Sequence, residues 1–496
     1  MKRYILSRIL RSLVSIFLVV SVVFVMVYGL VPRENVFKGD TTINKLLSKP
    51  DTLAQYKNNT LERLGYIEYV EQQDICAANY ADSYSSCMAP KSTQIQEWAS
   101  ENAGSYTIGY NTNSDNLIYA TREIPMLQRI GSFYSKLIQI DTSSAVSDAQ
   151  NPNIERKVYF GSDTNGVPAL MCTGCTHKYL VYFDTSFPFI HQNFIELNLG
   201  TSYPSYSGQE AFSVITQGQG SYENSPTTFY DGTTKNSSAL LHSCKYKSSG
   251  SITDAETQLY GDNYALCDSR YQDPSMIQTS SVIGIIALVL AYGIGIPLGM
   301  TLARRKGSYF DRIGIGFITV LIALPSLALI YFMSVVGASL FGLPDKFPFF
   351  GAHNPISYVL PVLVLFLLNL PGILTWVRRY TIDQSSADYV KFAYAKGLSK
   401  KEVFNRHILK NAMIPVVQGI PSSIISVLSG ALITETVFSV PGMGKMLPDA
   451  ITGYNNPMVI ALTLIFTTIS VVGLLLGDLL VSKFDPRIRL TTRKGG

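Results

Sequence analysis

The chain has 496 residues, of which 47% are hydrophobic and 15% charged, and its mean hydropathy is +0.18. This value is too apolar for an ordinary water-soluble protein and too polar for a chain buried wholly in a membrane. The formal net charge of +5 sums segments of opposite sign, so it does not indicate nucleic-acid binding.

Six windows free of Asp, Glu, Lys and Arg are long enough to cross a bilayer, because about 30 Å of hydrocarbon takes roughly 20 helical residues. They are 12–31, 280–303, 313–341, 355–377, 412–434 and 457–477. Unpaired backbone polar groups are costly in lipid, so each crossing is expected to be a helix. The windows predict an all-α polytopic membrane protein with six transmembrane helices.

The first window follows Lys2, Arg3, Arg8 and Arg11, an arrangement that also occurs in secretory signal peptides. The apolar run is 20 residues long, however, which exceeds a typical signal core. It also ends without a cleavage site of small residues. We therefore expect an uncleaved first transmembrane helix.

Basic residues are distributed unevenly between the segments that join the windows. Twenty-one Lys and Arg lie in four of them together, namely 1–11, 304–312, 378–411 and 478–496. The short loops 342–354 and 435–456 carry one each. The positive-inside rule then predicts that both termini are cytoplasmic and that residues 33–279 lie outside a plasma membrane.

The predicted outer block, 33–279, carries 17 Lys and Arg against 26 Asp and Glu, and it is large enough to form its own core. Helices are expected around 44–64 and 93–101. The aromatic and β-branched segments 157–160 and 178–183 favour strands. We expect an α+β domain inserted between the first two transmembrane helices.

All six cysteines lie in this block, which fits disulfides formed in an oxidising compartment. Fifteen pairings are possible, and free buried thiols are an alternative. We favour the pairs of nearest neighbours, Cys76 with Cys87, Cys172 with Cys175, and Cys244 with Cys267. One CxxC without a second pair is poor evidence for zinc, so no metal site is predicted.

Polar residues in the later windows are candidates for a translocation pathway. Gln418, Ser422, Ser426 and Ser429 recur at three- or four-residue steps and would form one stripe on a helix. Small polar residues also favour close contact between helices, which is an equal alternative. Three further candidates are Tyr331, Asn369 and Glu435. Glu435 lies at the outer end of its window, where it gates the pathway, contacts a binding protein or is simply solvated.

The segment 378–411 holds eight Lys or Arg and three Asp or Glu between two uncharged windows. Within it, Asp388–Gly397 alternates small and aromatic residues with charges and ends at a glycine, a common helix terminator. The pattern predicts a short helix at the membrane face. A solvated basic loop is the alternative, but it does not explain the ordered alanine and glycine spacing.

This segment resembles the EAA-type cytoplasmic coupling loop of bacterial ABC importer permeases, in the form found in dipeptide and oligopeptide permeases. Matching positions are Asp388, Tyr389, Ala393, Ala395, Lys396, Gly397, Leu398, Arg406, His407, Leu409, Lys410 and Pro415. Asn411 departs from the proline common in the family. The resemblance implies an ATPase-coupling set of Ala387, Asp388, Tyr389, Lys391, Phe392, Ala393, Ala395, Lys396, Gly397, Leu398, Arg406 and His407.

Three other stretches resemble the same family: 1–10, the loop 435–444 and the closing segment 478–488. At the inner end of the last helix, Asp478 is expected to pair with Lys483 or the coupling loop. The block 33–279 resembles the large insertions of Ami-type oligopeptide permeases.

The resemblance implies a type I ABC importer permease with three parts. These are the N-terminus and first helix (1–32), the outer domain (33–279) and the permease core (280–496). Implied partners are a second permease, two cytoplasmic ATPases, an outer peptide-binding lipoprotein, an oligopeptide substrate and membrane lipid.

The sequence contains no G-x-x-x-x-G-K-[ST] phosphate loop and neither an H-E-x-x-H nor a G-x-S-x-G motif. We therefore expect no catalytic residue and no directly bound cofactor, with ATP and Mg²⁺ bound by the partner subunits. Related permeases carry nickel or glutathione, so cargo stays open. A sensor with a ligand-binding outer domain is another class, but it would need a longer inner segment.

Overall fold

The computed structural model describes residues 2–111, 117–148, 150–185, 189–218 and 220–484, without the side chains of 2–5, 425, 426, 428–430, 481, 483 and 484. A long N-terminal helix, α1 (Lys2–Leu30), is followed by a region containing both helices and strands. A bundle of helices then extends from Met276 to Phe484.

The middle region alternates short helices with short strands. Its helices, α2–α9, are Thr41–Leu46, Pro50–Arg63, Gln72–Asn79, Tyr84–Cys87, Thr93–Asn102, Met126–Leu137, Ala211–Thr216 and Asp254–Tyr260. Its strands, β1–β11, are Ile67–Glu71, Thr107–Tyr110, Ile118–Glu123, Ile138–Ile140, Lys157–Ser162, Pro168–Thr173, Tyr179–Phe183, Ile190–Gln192, Ile195–Leu197, Ser225–Thr228 and Thr234–Ser237. This composition agrees with the expected α+β class.

All named strand pairs are antiparallel. One sheet has the strand order β1-β3-β2, and a second has the order β5-β6-β7-β8. Two further pairs, β4-β9 and β10-β11, stand alone. The structure joins the cysteines as three disulfides, Cys76–Cys87, Cys172–Cys175 and Cys244–Cys267, which are the neighbouring pairs that the sequence favours.

The bundle consists of α10–α18. These helices are Met276–Arg304, Tyr309–Ala323, Ser326–Phe341, Ile356–Ser385, Asp388–Ala395, Lys400–Val403, Leu409–Phe438, Met443–Thr452 and Asn456–Phe484, with a π-helical turn at Phe404–Ile408 before α16. Helices α10 and α13 pack closely at Gly299, where an added Cβ would lie 3.0 Å from the Val377 side chain. A glycine here lets the two backbones approach.

The predicted crossing 313–341 is wrong as a single helix. The structure breaks it into α11 and α12, which are bent by 105° relative to each other. Leu324, the residue before Pro325, has an extended backbone with ψ at 127°. Proline disfavours helical geometry at the preceding residue and offers no N–H for the helix, so the break falls here.

Among the described residues, four helices are long and apolar enough to span a membrane, namely α1, α10, α13 and α18, and the bent pair α11–α12 would make a fifth. Helix α16 covers the remaining window, although several of its side chains lie outside the described part of the chain.

Helices α1 and α18 meet through an ion pair between Arg8 and Asp478, at 2.8 Å. The structure thus pairs Asp478 with Arg8. The Lys483 side chain lies outside the described residues, so the expected pairing of Asp478 with Lys483 or the coupling loop stays a prediction. Because Arg8 lies near the beginning of α1 and Asp478 near the end of α18, the two helices run in opposite directions at this contact.

Candidate coupling site

Helix α14 (Asp388–Ala395) is built as a short, separate helix after α13. Ala387 precedes it with an extended backbone, and Gly397 ends it at a φ of +80°. The Gly397 amide donates a hydrogen bond to the Tyr394 carbonyl at 2.9 Å. Nothing lies within 4 Å of a Cβ placed on Gly397, so the glycine is required by backbone conformation rather than by space.

One face of α14 is buried against the same chain. Val390 and Ala393, three residues apart and therefore on one side of the helix, are 2% and 5% exposed. They pack in one cluster with Val403, Phe404 and Ile408 of the following turns. This cluster fixes α14 to the start of α16.

Tyr389 also turns toward its own chain. Its hydroxyl donates to Oε1 of Gln384 at 2.9 Å and lies 3.5 Å from the His407 carbonyl. The family resemblance places both Tyr389 and Phe392 in the coupling set, but only Phe392 is strongly exposed. The hydroxyl of Tyr389 instead joins α13 to the π-helical turn.

The opposite face of α14 is open. Phe392 is 70% exposed and Tyr394 45% exposed. Around them lie Ala395, Lys396 and an exposed ion pair between Lys391 and Asp388 at 2.9 Å. Exposed aromatic side chains surrounded by charges are a common feature of protein–protein interfaces.

A buried polar pair joins two of the long helices on the same side of the bundle as the predicted inner segments 304–312 and 378–411. Arg378, in α13, makes two hydrogen bonds of 2.8 Å to the Asp311 carboxylate in α11. The Asp311 side chain is only 3% exposed and also accepts the Gly307 amide at 2.9 Å. The sequence analysis missed this pair, although Asp311 is the one acidic residue in the predicted inner segment 304–312.

A cation–π contact joins α10 to the buried cluster beside α14. The Arg304 guanidinium lies 3.6 Å from the centroid of the Phe404 ring. Phe404 begins the π-helical turn that also contains Arg406 and His407. Arg406 is exposed and His407 half-buried. Such turns often occur at functional sites.

Leu398 is half-buried in the cluster with Val390 and Phe404, and it precedes the charged turn of α15. Ser399 caps α15, and its hydroxyl and amide both donate to Glu402. These bonds hold the pKa of Glu402 below its usual range. The Glu402 carboxylate is therefore held in place by Ser399 of its own turn.

The pathway candidates are only partly brought together. Asn369 and Ser422 both line a pocket of about 600 Å³ between α10, α13 and α16, which Tyr292 and Trp376 also line. Asn369 donates to the Leu365 carbonyl at 2.8 Å. Ser422 donates to the Gly419 carbonyl at 2.7 Å. Each side chain thus bonds within its own helix while facing the pocket.

Of the described side chains, two further pathway candidates do not join this pocket. Gln418 is exposed, and Tyr331, 55% exposed on α12, does not line the pocket either. The side chains of Ser426 and Ser429 lie outside the described residues. A continuous polar stripe on α16 thus remains a prediction.

Glu435 is buried and does not line this pocket, so the solvated reading is wrong, whereas a gating role or a contact with a binding protein stays a prediction. It is 1% exposed, accepts a hydrogen bond of 2.5 Å from the Ser280 hydroxyl and accepts the Lys445 amide at 2.8 Å. A Cβ on Gly442 would lie 2.2 Å from its carboxyl carbon. Glu435 therefore anchors the turn between α16 and α17.

A set of three or more His, Cys, Asp or Glu side chains able to hold a metal ion is absent from the described residues.

Residues 295–490 match the family described as "Binding-protein-dependent transport system inner membrane component". The oligopeptide transport system permease protein AmiC of Streptococcus pneumoniae serotype 4 is 46% identical over 501 residues, with all of both chains covered. The dipeptide transport system permease protein DppB of Lactococcus lactis subsp. cremoris is 33% identical over 216 residues, covering 43% of this chain and 70% of the relative. A solved structure of the MetNI methionine ABC transporter in inward-facing conformations shows 14% identity and a TM-score of 0.35, covering 42% of this chain and 93% of that chain.

Proposed function

The chain belongs to the family of binding-protein-dependent transport system inner membrane components, among its oligopeptide permeases, and we propose that it is one permease subunit of an ATP-driven oligopeptide importer. In this role it forms half of a translocation pathway. Its inner face receives the work of nucleotide hydrolysis, and the hydrolysis itself occurs on partner subunits.

The exposed face of α14 carries this proposal. Phe392 and Tyr394 are exposed on a helix whose other face is packed against the start of α16. A partner that grips these aromatic side chains would therefore move α16, and the Asp311–Arg378 pair would pass the displacement to α11 and α13. In this proposal, α14 transmits movement from the partner to the long helices.

The partner at this face is one of two cytoplasmic ATPases, and the other ATPase binds a second, homologous permease. The sequence holds no phosphate loop, so ATP and Mg²⁺ belong to the ATPases. The exposed coupling set around Phe392 is the surface offered to one of them.

We place α14 and both termini in the cytoplasm because the four predicted inner segments hold 21 of the 40 Lys and Arg residues. The Arg8–Asp478 contact supports a common side for the beginning of α1 and the end of α18. Six crossings with residues 33–279 outside the plasma membrane complete this topology.

The pocket lined by Asn369 and Ser422 is the part of the pathway that this chain contributes. Its polar groups are neutral and few, which suits a passage for peptides with varied side chains. The outer domain, with 17 basic and 26 acidic residues, is the surface on which a peptide-binding lipoprotein docks. Cargo selection then belongs largely to that lipoprotein.

The proposal is tested by purifying the chain in mild detergent and identifying the proteins that remain bound. We expect two ATPases and a sister permease. Phe392→Glu should release the ATPase bound to this chain and retain the sister permease, because the exposed aromatic contact is replaced by a charge. Phe349→Glu is the matched control, since Phe349 is 74% exposed in the loop assigned to the opposite side.

Retention of both ATPases by Phe392→Glu would contradict the coupling role of α14. Recovery of the wild-type chain with no nucleotide-hydrolysing protein would contradict the whole assignment. Peptides of graded length should then compete for transport, and competition only by metal ions or glutathione would reject the peptide cargo.

A further inference from the structure

Helix α7 (Met126–Leu137) belongs to the middle region but lies against the membrane helix α1. The Tyr134 hydroxyl donates to the Phe17 carbonyl at 3.0 Å and lies 3.1 Å from the Ser21 hydroxyl. The rings of Phe133 and Phe24 have centroids 5.7 Å apart. Met126, at the beginning of α7, lies beside Gly29 near the end of α1. Helix α7 therefore descends along α1 from its outer end.

These contacts fix the depth of α7. The apolar part of α1 extends over Leu6–Leu30. At 1.5 Å per residue, Ser21 lies about 14 Å from Leu30 along the helix axis. The Tyr134 hydroxyl therefore reaches well into the apolar layer, whereas Met126 lies at its boundary.

Helix α7 has one apolar side and one polar side. Met126, Ile130, Phe133, Tyr134 and Leu137 share one arc, with Leu127 at its margin. Gln128, Arg129, Ser132, Ser135 and Lys136 lie on the opposite arc. The buried Arg129 guanidinium lies 4.4 Å and 4.3 Å from the ring centroids of Tyr28 and Tyr66, so Arg129 attaches one edge of the polar arc to the rest of the chain, while the other polar residues of this arc are exposed.

The apolar arc of α7 is only partly covered by the rest of the chain. Leu127 is 83% exposed, and the following strand pair extends the uncovered surface. In β4-β9, Ile138 faces Leu197 and Ile140 faces Ile195. These four side chains, which we call the aliphatic ribbon, are 58%, 41%, 65% and 42% exposed respectively.

The other face of the strand pair is polar and satisfied. Gln139 lies opposite Glu196. Glu196 pairs with Lys245 at 3.1 Å and lies 3.3 Å from the buried His177 ring. The ribbon is thus one-sided, with charge on the face toward the domain and only aliphatic side chains on the face away from it.

The ribbon is continuous with the surface that α1 and α18 present to the membrane. The Leu137 carbonyl accepts the Asn198 amide at 3.0 Å, and the next residue, Leu199, is buried in a cluster with Met458 and Leu462 of α18. On α1, Val22, Val25 and Met26 are 50%, 46% and 53% exposed at the same level. One apolar surface therefore runs from α1 across α7 to the ribbon.

We propose that α7 and the aliphatic ribbon form a membrane anchor of the middle region, with lipid acyl chains covering Leu127 and the ribbon. Leu127 and the ribbon carry no charged side chain, and they continue the apolar surface that begins where α7 packs on α1. Burying apolar surface yields about 25 cal/mol per Å². The anchor therefore fixes the height and tilt of the domain relative to the bilayer. It depends on α1 crossing the membrane and not on the cargo or the ATPases.

The test uses the purified complex in lipid nanodiscs, with the two native tryptophans, Trp98 and Trp376, replaced by phenylalanine. Single tryptophans are introduced as Leu127→Trp and Ile138→Trp, and emission is recorded in discs with and without lipids spin-labelled at carbon 5 of the acyl chain. Val22→Trp, on α1, is the control for lipid contact. Tyr110→Trp, at a position 56% exposed on β2, is the control for water contact.

We expect Leu127→Trp and Ile138→Trp to lose emission in spin-labelled lipid as Val22→Trp does, while Tyr110→Trp is quenched only by iodide. Quenching of both test positions by iodide alone would show that the ribbon faces water and would overturn the proposal. Protection from both quenchers would also overturn it, because another protein subunit would then cover the ribbon. Co-purification of the sister permease with each variant shows that the complex is intact.

Discussion

At the scale of single residues, the proposed coupling role of α14 depends on Gly397 and Asp311. Gly397 adopts a left-handed backbone at φ +80°, and Asp311 is a buried carboxylate held by Arg378. The role of Gly397 could be predicted from the sequence, because a glycine after a short helix commonly adopts this conformation. The pairing of Asp311 could not, because its partner lies 67 residues away.

Replacing Gly397 by valine should weaken coupling. An L-residue in the left-handed region costs roughly 1–2 kcal/mol, and about 1.4 kcal/mol changes an equilibrium tenfold. We expect Gly397→Val to lower peptide-stimulated ATP hydrolysis by about that factor, and Gly397→Asn to keep most of it, because asparagine tolerates this conformation. Equal activity of both variants would show that the conformation is not needed. Peptide capture by the binding protein should be unchanged in either.

Removing the Arg378 guanidinium should destabilise the bundle. Arg378→Ala leaves the Asp311 carboxylate buried and unpaired, which typically costs 3–5 kcal/mol. We expect a clear fall in the thermal unfolding midpoint in detergent. Lys391→Ala is the control, because it removes an ion pair whose side chains are 74% and 82% exposed, and such pairs contribute about 0–1 kcal/mol. Equal shifts for both variants would refute the structural role of the buried pair.

At the scale of elements, α14 is held by its buried face, and the turn between α16 and α17 is held by the buried Glu435 carboxylate. The alternation of small and aromatic residues in 388–397 predicts the short helix, whose observed bounds are Asp388–Ala395. It does not predict which aromatic side chain turns inward. That choice depends on Gln384 and His407, which meet the Tyr389 hydroxyl only in the folded loop.

The two faces of α14 should respond differently to substitution. Phe392→Ala should lower ATPase binding without changing the thermal stability of the isolated permease, because the side chain is 70% exposed. Val390→Ala should lower stability by about 1–3 kcal/mol, because it removes buried methyl groups from the cluster with Phe404. Paired measurements of unfolding midpoint and ATPase affinity separate the faces. A stability loss in Phe392→Ala equal to that in Val390→Ala would contradict the assignment.

The turn after α16 should be sensitive at Gly442. In Gly442→Ala the new methyl group would lie 2.2 Å from the Glu435 carboxyl carbon, so the carboxylate must move from its bonds to Ser280 and the Lys445 amide. Leaving buried polar groups unpaired costs roughly 1–3 kcal/mol. We expect a lower unfolding midpoint for Gly442→Ala. The control is Gly293→Ala in α10, where nothing lies within 4 Å of the added Cβ, and an equal fall there would disprove the packing argument.

At the scale of the whole molecule, the sequence predicts the helices, the α+β character of the middle region and the neighbouring cysteine pairs. It does so because hydrophobic windows, turn residues and cysteine spacing are local properties. Contacts between distant segments were missed for the opposite reason. Arg8 meets Asp478, Tyr134 meets Phe17, and Ile138 faces Leu197 only after the chain has folded. The break at Pro325 is absent from the predicted crossing 313–341, because an uncharged window does not reveal whether its helix is continuous.

The central claim is that this chain converts ATP hydrolysis by partner subunits into peptide movement across a membrane. It is tested most directly by reconstituting the permease pair, the ATPases and the binding protein in liposomes and measuring labelled oligopeptide uptake. With ATP on the ATPase side, we predict accumulation against a gradient, lost in Phe392→Glu and retained in Phe349→Glu. Uptake that continues at the same rate without ATP, or unchanged uptake by Phe392→Glu, would contradict the account.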